Sequence, residues 1–109
     1  MKDIFDRQAM LDEVEGDEEL LEEVLQIFLE HTPKQLKELR RAVEAGDALQ
    51  VQEQAHSLKG AAASIKAGTM RAAALEMELA GRNRALEGAG ALLEDLAREF
   101  ERLKDALGR

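Results

Sequence analysis

His56-Ser57-Leu58-Lys59-Gly60 sets an imidazole, an ammonium and a bare backbone position side by side. Imidazole is the side chain that offers an unprotonated ring nitrogen near neutral pH, and so can act as a nucleophile. An ammonium three residues on is a helical neighbour that can pair with negative charge arriving on that nitrogen. Gly60, four residues on, leaves the surface beside the imidazole low, and the small residues Ala61-Ala62-Ala63-Ser64 continue it. These residue types describe a histidine offered to another molecule, with a cation ready for an anion. The chain has no cysteine, so no thiolate chemistry competes. It also carries no phosphate-cradling glycine loop, metal-ligand spacing or nucleotide motif.

The element that must position this histidine is a helix predicted over about 48–66. Val51, Ala55, Leu58, Ala62 and Ile65 alternate in steps of four and three, which draws a core-facing stripe. At 100° per residue, His56 points roughly 140° from the mean of that stripe, Gly60 roughly 180°, Ala63 roughly 120° and Lys59 roughly 80°. His56 therefore stands on the outer face. A glycine inside a helix costs about 1 kcal/mol relative to alanine. Close helix packing explains such a cost in a core, but Gly60 faces outward. By itself, an exposed His with a Lys three residues on is common and carries no function; the outward glycine and the alanine run are what make it informative.

The rest of the chain predicts an all-α, antiparallel four-helix bundle with a short additional N-terminal helix. The 109 residues suit one domain, with an N-terminal cap over about 1–32 and a bundle core over about 17–107. Asp6 caps a short helix to about Val14, and Gly16 ends it. Asp17 caps an amphipathic helix carrying Leu20, Leu21, Val24, Leu25 and Phe28. Thr32-Pro33 predicts a kink, or a restart with Pro33 as the first helical residue. The pattern resumes at Leu36, Leu39 and Val43 and stops at Gly46, before Asp47 caps the histidine helix. Gly68-Thr69 is expected to turn the chain into a helix over about 69–82, with Met70, Ala73, Met77 and Ala80 facing the core. A looser stretch from Gly81 to Gly90 leads to a last helix over about 89–107, with Leu93, Leu96, Phe100, Leu103 and Leu107.

A net charge of −8 argues against broad binding to nucleic acid or to anionic membranes. No apolar run is long enough to span a bilayer, and no signal peptide is visible. These features, with the lack of cysteine, suit a cytoplasmic protein or the cytoplasmic domain of a larger membrane-bound one. His31 lacks a Lys-Gly companion and reads as a surface residue. The acidic residues from Asp12 to Glu23 read as a solvated face favoured by the helix dipole rather than as a metal site.

His56-Ser57-Leu58-Lys59-Gly60 followed by Ala61-Ala62-Ala63-Ser64-Ile65 closely resembles the core motif of histidine-containing phosphotransfer (HPt) domains. Phe5-Asp6, Gly16-Asp17-Glu18-Glu19-Leu20-Leu21 and Ala45-Gly46-Asp47 resemble that family's flanking segments in the same order. The resemblance implies a phosphocarrier of a two-component phosphorelay, without a kinase or nucleotide site of its own. It implies that His56 takes a phosphoryl group through Nε2 from a receiver domain's aspartyl phosphate and passes it to another receiver's aspartate. Lys59 matches the family lysine that steadies the phosphoryl oxygens. Gln52, Gly60, Ala63 and Ser64 are the expected partner-facing residues. Glu78, alone a solvated glutamate, matches the position from which relatives orient the ring. No cofactor is implied for this chain; Mg2+ belongs to the receiver. Expected partners are response-regulator receivers and a sensor or hybrid histidine kinase, with the domain itself a monomer free of membrane contact. Two rivals share the motif: the phosphoacceptor module of a chemotaxis-type histidine kinase, and a helical interaction module in which His56 is incidental. Lys66 departs from the family, where glycine is usual, and predicts an altered turn or an added positive charge near the docking face.

Overall fold

Asp6, Asp17 and Asp47 each accept a hydrogen bond from the backbone amide three residues on, at 3.0–3.1 Å. They open α1 (Arg7–Glu13), α2 (Glu18–Ala45) and α3 (Ala48–Ser64) in the computed structural model of the chain. These caps satisfy amides that have no partner inside a helix. Two further helices follow, α4 (Gly68–Arg82) and α5 (Ala89–Ala106). The structure describes residues 3–109; the expected domain begins at Met1, and Met1 and Lys2 lie outside the described residues.

The four long helices form the expected bundle. α2 packs on α3 and α5, and α4 packs on the same two from the other side, with α3 and α4 the most closely joined. The short connections make sequence neighbours antiparallel. At 1.5 Å per residue, α2 is ~42 Å long, and it sets the long dimension of the molecule, which measures 42 × 21 × 21 Å. The stripes of α2, α3 and α5 all meet in the core. Leu21, Leu25 and Leu39 of α2, Val51, Ala55 and Leu58 of α3, and Leu93, Leu96 and Leu103 of α5 belong to one buried cluster. Phe28 and Phe100 meet edge to face, with ring centroids 6.1 Å apart.

Pro33 does not restart a helix: α2 runs unbroken through it. Leu25, Phe28 and Thr32 before the proline and Leu39 and Ala42 after it are all buried, while Pro33 is on the exposed side. Packing on both sides of the break outweighs the missing amide. Thr32 is buried because its hydroxyl donates to the Phe28 carbonyl at 2.7 Å.

The turn after α3 keeps a left-handed residue although glycine is absent. Lys66 has φ +60°. The Ala67 amide reaches the Ala62 carbonyl and the Lys66 amide the Ala63 carbonyl, the pairing of a helix-ending turn that favours glycine at this position. A left-handed lysine costs roughly 1–2 kcal/mol. The turn is tied down by α1 and its cap: the Lys66 carbonyl accepts from the Asp6 amide at 3.1 Å, and its Nζ lies 3.1 Å from Glu13. The expected positive charge near the docking face is thus engaged by α1 instead.

α4 starts at Gly68 and includes Gly81, so the loose stretch is shorter than expected. Its core face is Met70, Ala74, Met77 and Gly81, rotated from the expected one, with Ala73 and Ala80 half-buried. Gly81 is where α4 comes closest to α3. A Cβ there would lie 2.5 Å from the Gln52 amide nitrogen and 2.9 Å from the Ala48 carbonyl. Both are backbone atoms that cannot step aside. Gly81→Ala should therefore destabilise the fold by about 1–3 kcal/mol, despite alanine's better helix propensity. Chemical denaturation measures it, and an unchanged or raised stability would contradict this packing.

Candidate functional site

α3 holds His56 outward, its side chain about two-thirds exposed, and α4 brings Glu78 beneath it. Glu78 is the one buried ionisable residue among those described, at 2% exposure. Its solvated reading is therefore wrong. Two partners on α3, one ammonium and one ring N–H, make the burial tolerable. Lys59 Nζ lies 2.6 Å from Oε1, and His56 Nδ1 lies 2.7 Å from Oε2. The Lys59 contact is an ion pair of close approach rather than a well-aligned hydrogen bond, and no other donor reaches Oε1. Arg82, one turn further along α4, has its guanidinium 3.8 Å from Oε2.

The Lys59 ammonium holds the Glu78 carboxyl below the usual carboxylate range; burial opposes this, and His56 assists. An ionised carboxylate can only accept. His56 Nδ1 must therefore carry the hydrogen in this pair, which leaves the Nε2 lone pair free in the neutral ring. The ring is fixed from below, and its nucleophilic edge faces solvent.

The other expected residues spread along α3. Gln52 is half-buried and shares an open groove between α3 and α4 with Leu49, Glu53, His56, Glu78 and Arg82. Gly60 is exposed, with open space where a Cβ would stand. Ser64 is exposed, and its hydroxyl donates to the Gly60 carbonyl at 3.0 Å. Ala63 is half-buried and lines a separate depression with Lys66, Gly68 and Arg71. On the α2 side, His31, Ile27 and Gln35 line a further groove with Ser57, Ala61 and Ser64. Lys59 is at hand, but it is engaged with Glu78 rather than standing free.

Sequence reasoning missed Arg82 and Gly81. The signal was present in Met70, Ala74, Met77 and Gly81, which also run in steps of four and three. Choosing Ala73 and Ala80 instead put Glu78 outside the core face.

The acid sensitivity of the site follows from the Glu78 shift. Its native pKa lies below the unfolded value of about 4.3. The stabilisation is then complete above that value and lost as pH falls through the native one. Glu78→Gln should weaken the fold by roughly 1–3 kcal/mol at pH 7 and flatten the stability profile below about pH 4.5. Denaturation midpoints against pH compare the two proteins, and parallel profiles would refute the assignment.

The Hpt domain family model matches residues 23–106 of the chain. No curated protein matches it. Among solved structures, histidine-containing phosphotransfer protein B (HptB) from Pseudomonas aeruginosa PAO1 is similar at a TM-score of 0.88 and 28% identity, covering 94% of this chain and 90% of that one. The HPT domain of the Hpt sensor hybrid histidine kinase from Shewanella is similar at a TM-score of 0.76 and 19% identity, covering 99% and 97%. At that lower identity the likeness speaks for the fold alone. The family match spans most of the chain, including α3 and α4 and the His56–Glu78 pair they carry, and the chain belongs to the Hpt domain family.

Proposed function

We propose that His56 is the residue through which this phosphorelay carrier works. Its Nε2 lone pair attacks the phosphorus of a receiver's aspartyl phosphate. The N–P bond forms as the P–O bond to the aspartate breaks, and the electron pair leaves with the aspartate carboxylate. The ring, now substituted at Nε2 and still protonated at Nδ1, is an imidazolium. Glu78 neutralises that cation across the 2.7 Å contact. In the onward step, a second receiver's aspartate attacks phosphorus, and the N–P electrons return to Nε2. The receiver supplies Mg2+ and the acidic pocket, so positioning and charge neutralisation are this domain's share. The observation that carries this reading is an exposed imidazole whose other nitrogen is held by a buried carboxylate.

A carrier must let its partner's aspartate reach the ring, and the surface of α3 suits that. Gly60 presents no side chain beside His56, and nothing inside the fold requires a glycine there. Its helical cost of about 1 kcal/mol therefore has an external cause, the approach of a receiver. Gln52, Ala63 and Ser64 extend the contact along the same helix. The partners are receiver domains and the histidine kinase that feeds them. The acidic chain disfavours nucleic acid and anionic membranes. Among the described residues, no helix is long and apolar enough to cross a membrane. We place the domain in the cytoplasm as a monomer, without a kinase site or cofactor of its own.

His56→Gln should abolish uptake of acid-labile, base-stable phosphate from a phosphorylated receiver while keeping the helical circular dichroism of the wild type. Uptake by that variant would remove His56 from the pathway. Gly60→Ala should stabilise the fold by up to about 1 kcal/mol yet slow transfer, and Gly60→Arg should block it. Faster or unchanged transfer in both glycine variants, measured with the same receiver, would refute the docking role.

A further inference from the structure

We infer that Leu49 is the residue by which this domain selects among receivers, buried against an apolar patch of the partner when its aspartyl phosphate meets His56. This rests on the reading of His56 as phosphoacceptor. Single exposed leucines are ordinary on a protein surface. Leu49 is set apart by its place. It is 60% exposed, the most of the exposed large apolar side chains among the described residues, and it does not pack on the core. The others, Leu20 and Ile27 on α2 and Leu79 on α4, do not line the groove between α3 and α4 that Leu49 shares with His56.

Leu49 precedes His56 by seven residues on α3. At 1.5 Å and 100° per residue, it lies about 10.5 Å along the axis and within about 20° of the same direction. A protein partner covers about 800 Å² on each side, or about 600 Å² in a transient contact. A footprint of that size centred on His56 has a radius of about 14–16 Å. A receiver that reaches the imidazole therefore covers Leu49 as well.

The two ends of that footprint are unlike. Toward the C-terminus of α3 the exposed residues are Gly60 and Ser64, with half-buried Ala61 and Ala63 between them. Such a surface admits any closely approaching backbone and discriminates little. Toward the N-terminus stand Leu49, Gln50 and Glu53, with Glu53 accepting from Gln50 at 3.3 Å. An apolar group opposite Leu49 gains from mutual burial, whereas a polar or charged one is stripped of water and finds no partner. The Glu53 carboxylate, one turn on, repels an acidic group at the same place. The surface that fits is an apolar patch with a neutral or basic rim, and a receiver lacking it is disfavoured rather than merely unaided.

The test follows phosphate uptake from a phosphorylated receiver over a range of receiver concentrations. Potassium phosphoramidate, a donor too small to span from His56 to Leu49, is the comparison. Leu49→Ala should raise the half-saturating receiver concentration by roughly fivefold to thirtyfold, with the loss there rather than in the saturated rate. Leu49→Met, which restores the apolar volume, should recover most of that loss. Across a set of receiver domains, the spread of uptake rates should narrow in Leu49→Ala. A wild-type half-saturating concentration in Leu49→Ala, an unchanged spread among receivers, or an equal loss of labelling from phosphoramidate would overturn the proposal. So would a wild-type dimer in sedimentation that Leu49→Ala dissociates, because the leucine would then serve a second copy of this chain. His56→Gln is run alongside: label on that variant at the wild-type level would overturn the His56 reading itself, whereas an unlabelled His56→Gln with an unaffected Leu49→Ala removes only the role of Leu49.

Discussion

The buried carboxylate of Glu78 is the interaction on which the rest of this site depends. A carboxylate removed from water is tolerable only when opposite charge and hydrogen bonds replace the solvent. Lys59 and His56 supply both from α3, one to each oxygen. The same contacts orient the imidazole. The carboxylate can only accept, so the ring hydrogen is drawn to Nδ1 and the outer nitrogen is left with its lone pair. Stability and chemistry are thus two consequences of one arrangement.

That arrangement requires α3 and α4 to lie unusually close. Small residues on both make it possible: Ala55 and Ala62 on α3, Ala74 and Gly81 on α4, all buried. Gly81 allows backbone to meet backbone, and three residues before it Glu78 reaches across to the ring. Three positions in this region illustrate opposite uses of glycine. Gly81 is required by the inside of the molecule. Gly60 has open space where a Cβ would stand, and nothing inside the molecule calls for it. Lys66 holds a left-handed turn without being glycine, because α1 and its cap secure both its carbonyl and its ammonium.

The site has no deep cleft, and this fits a carrier. The His56 imidazole stands exposed on a helix face, open to approach by another molecule. The strongly acidic chain keeps a small cationic spot of Lys59 and Arg82 beside His56. A domain of this kind does not need to enclose its substrate, since the receiver encloses it.

The helices themselves were legible in the sequence, because they follow from local periodicity and from Asp6, Asp17 and Asp47 at their starts. So was the outward direction of His56, which depends only on the pitch of one helix. Three features were not legible in the local pattern of residues, although the family resemblance pointed to Glu78. Pro33 has a local preference to interrupt α2, but buried contacts on both sides of it carry the helix through. Lys66 has no intrinsic preference for its left-handed turn, which is held by partners more than fifty residues away in the chain. Glu78 has the composition of a surface residue, and its burial is set by where Lys59 and His56 stand on another helix. The sequence determined which face of α3 offers a histidine. Only the tertiary structure decided what lies behind that histidine, because a carboxylate is buried or solvated according to the cations that packing brings to it.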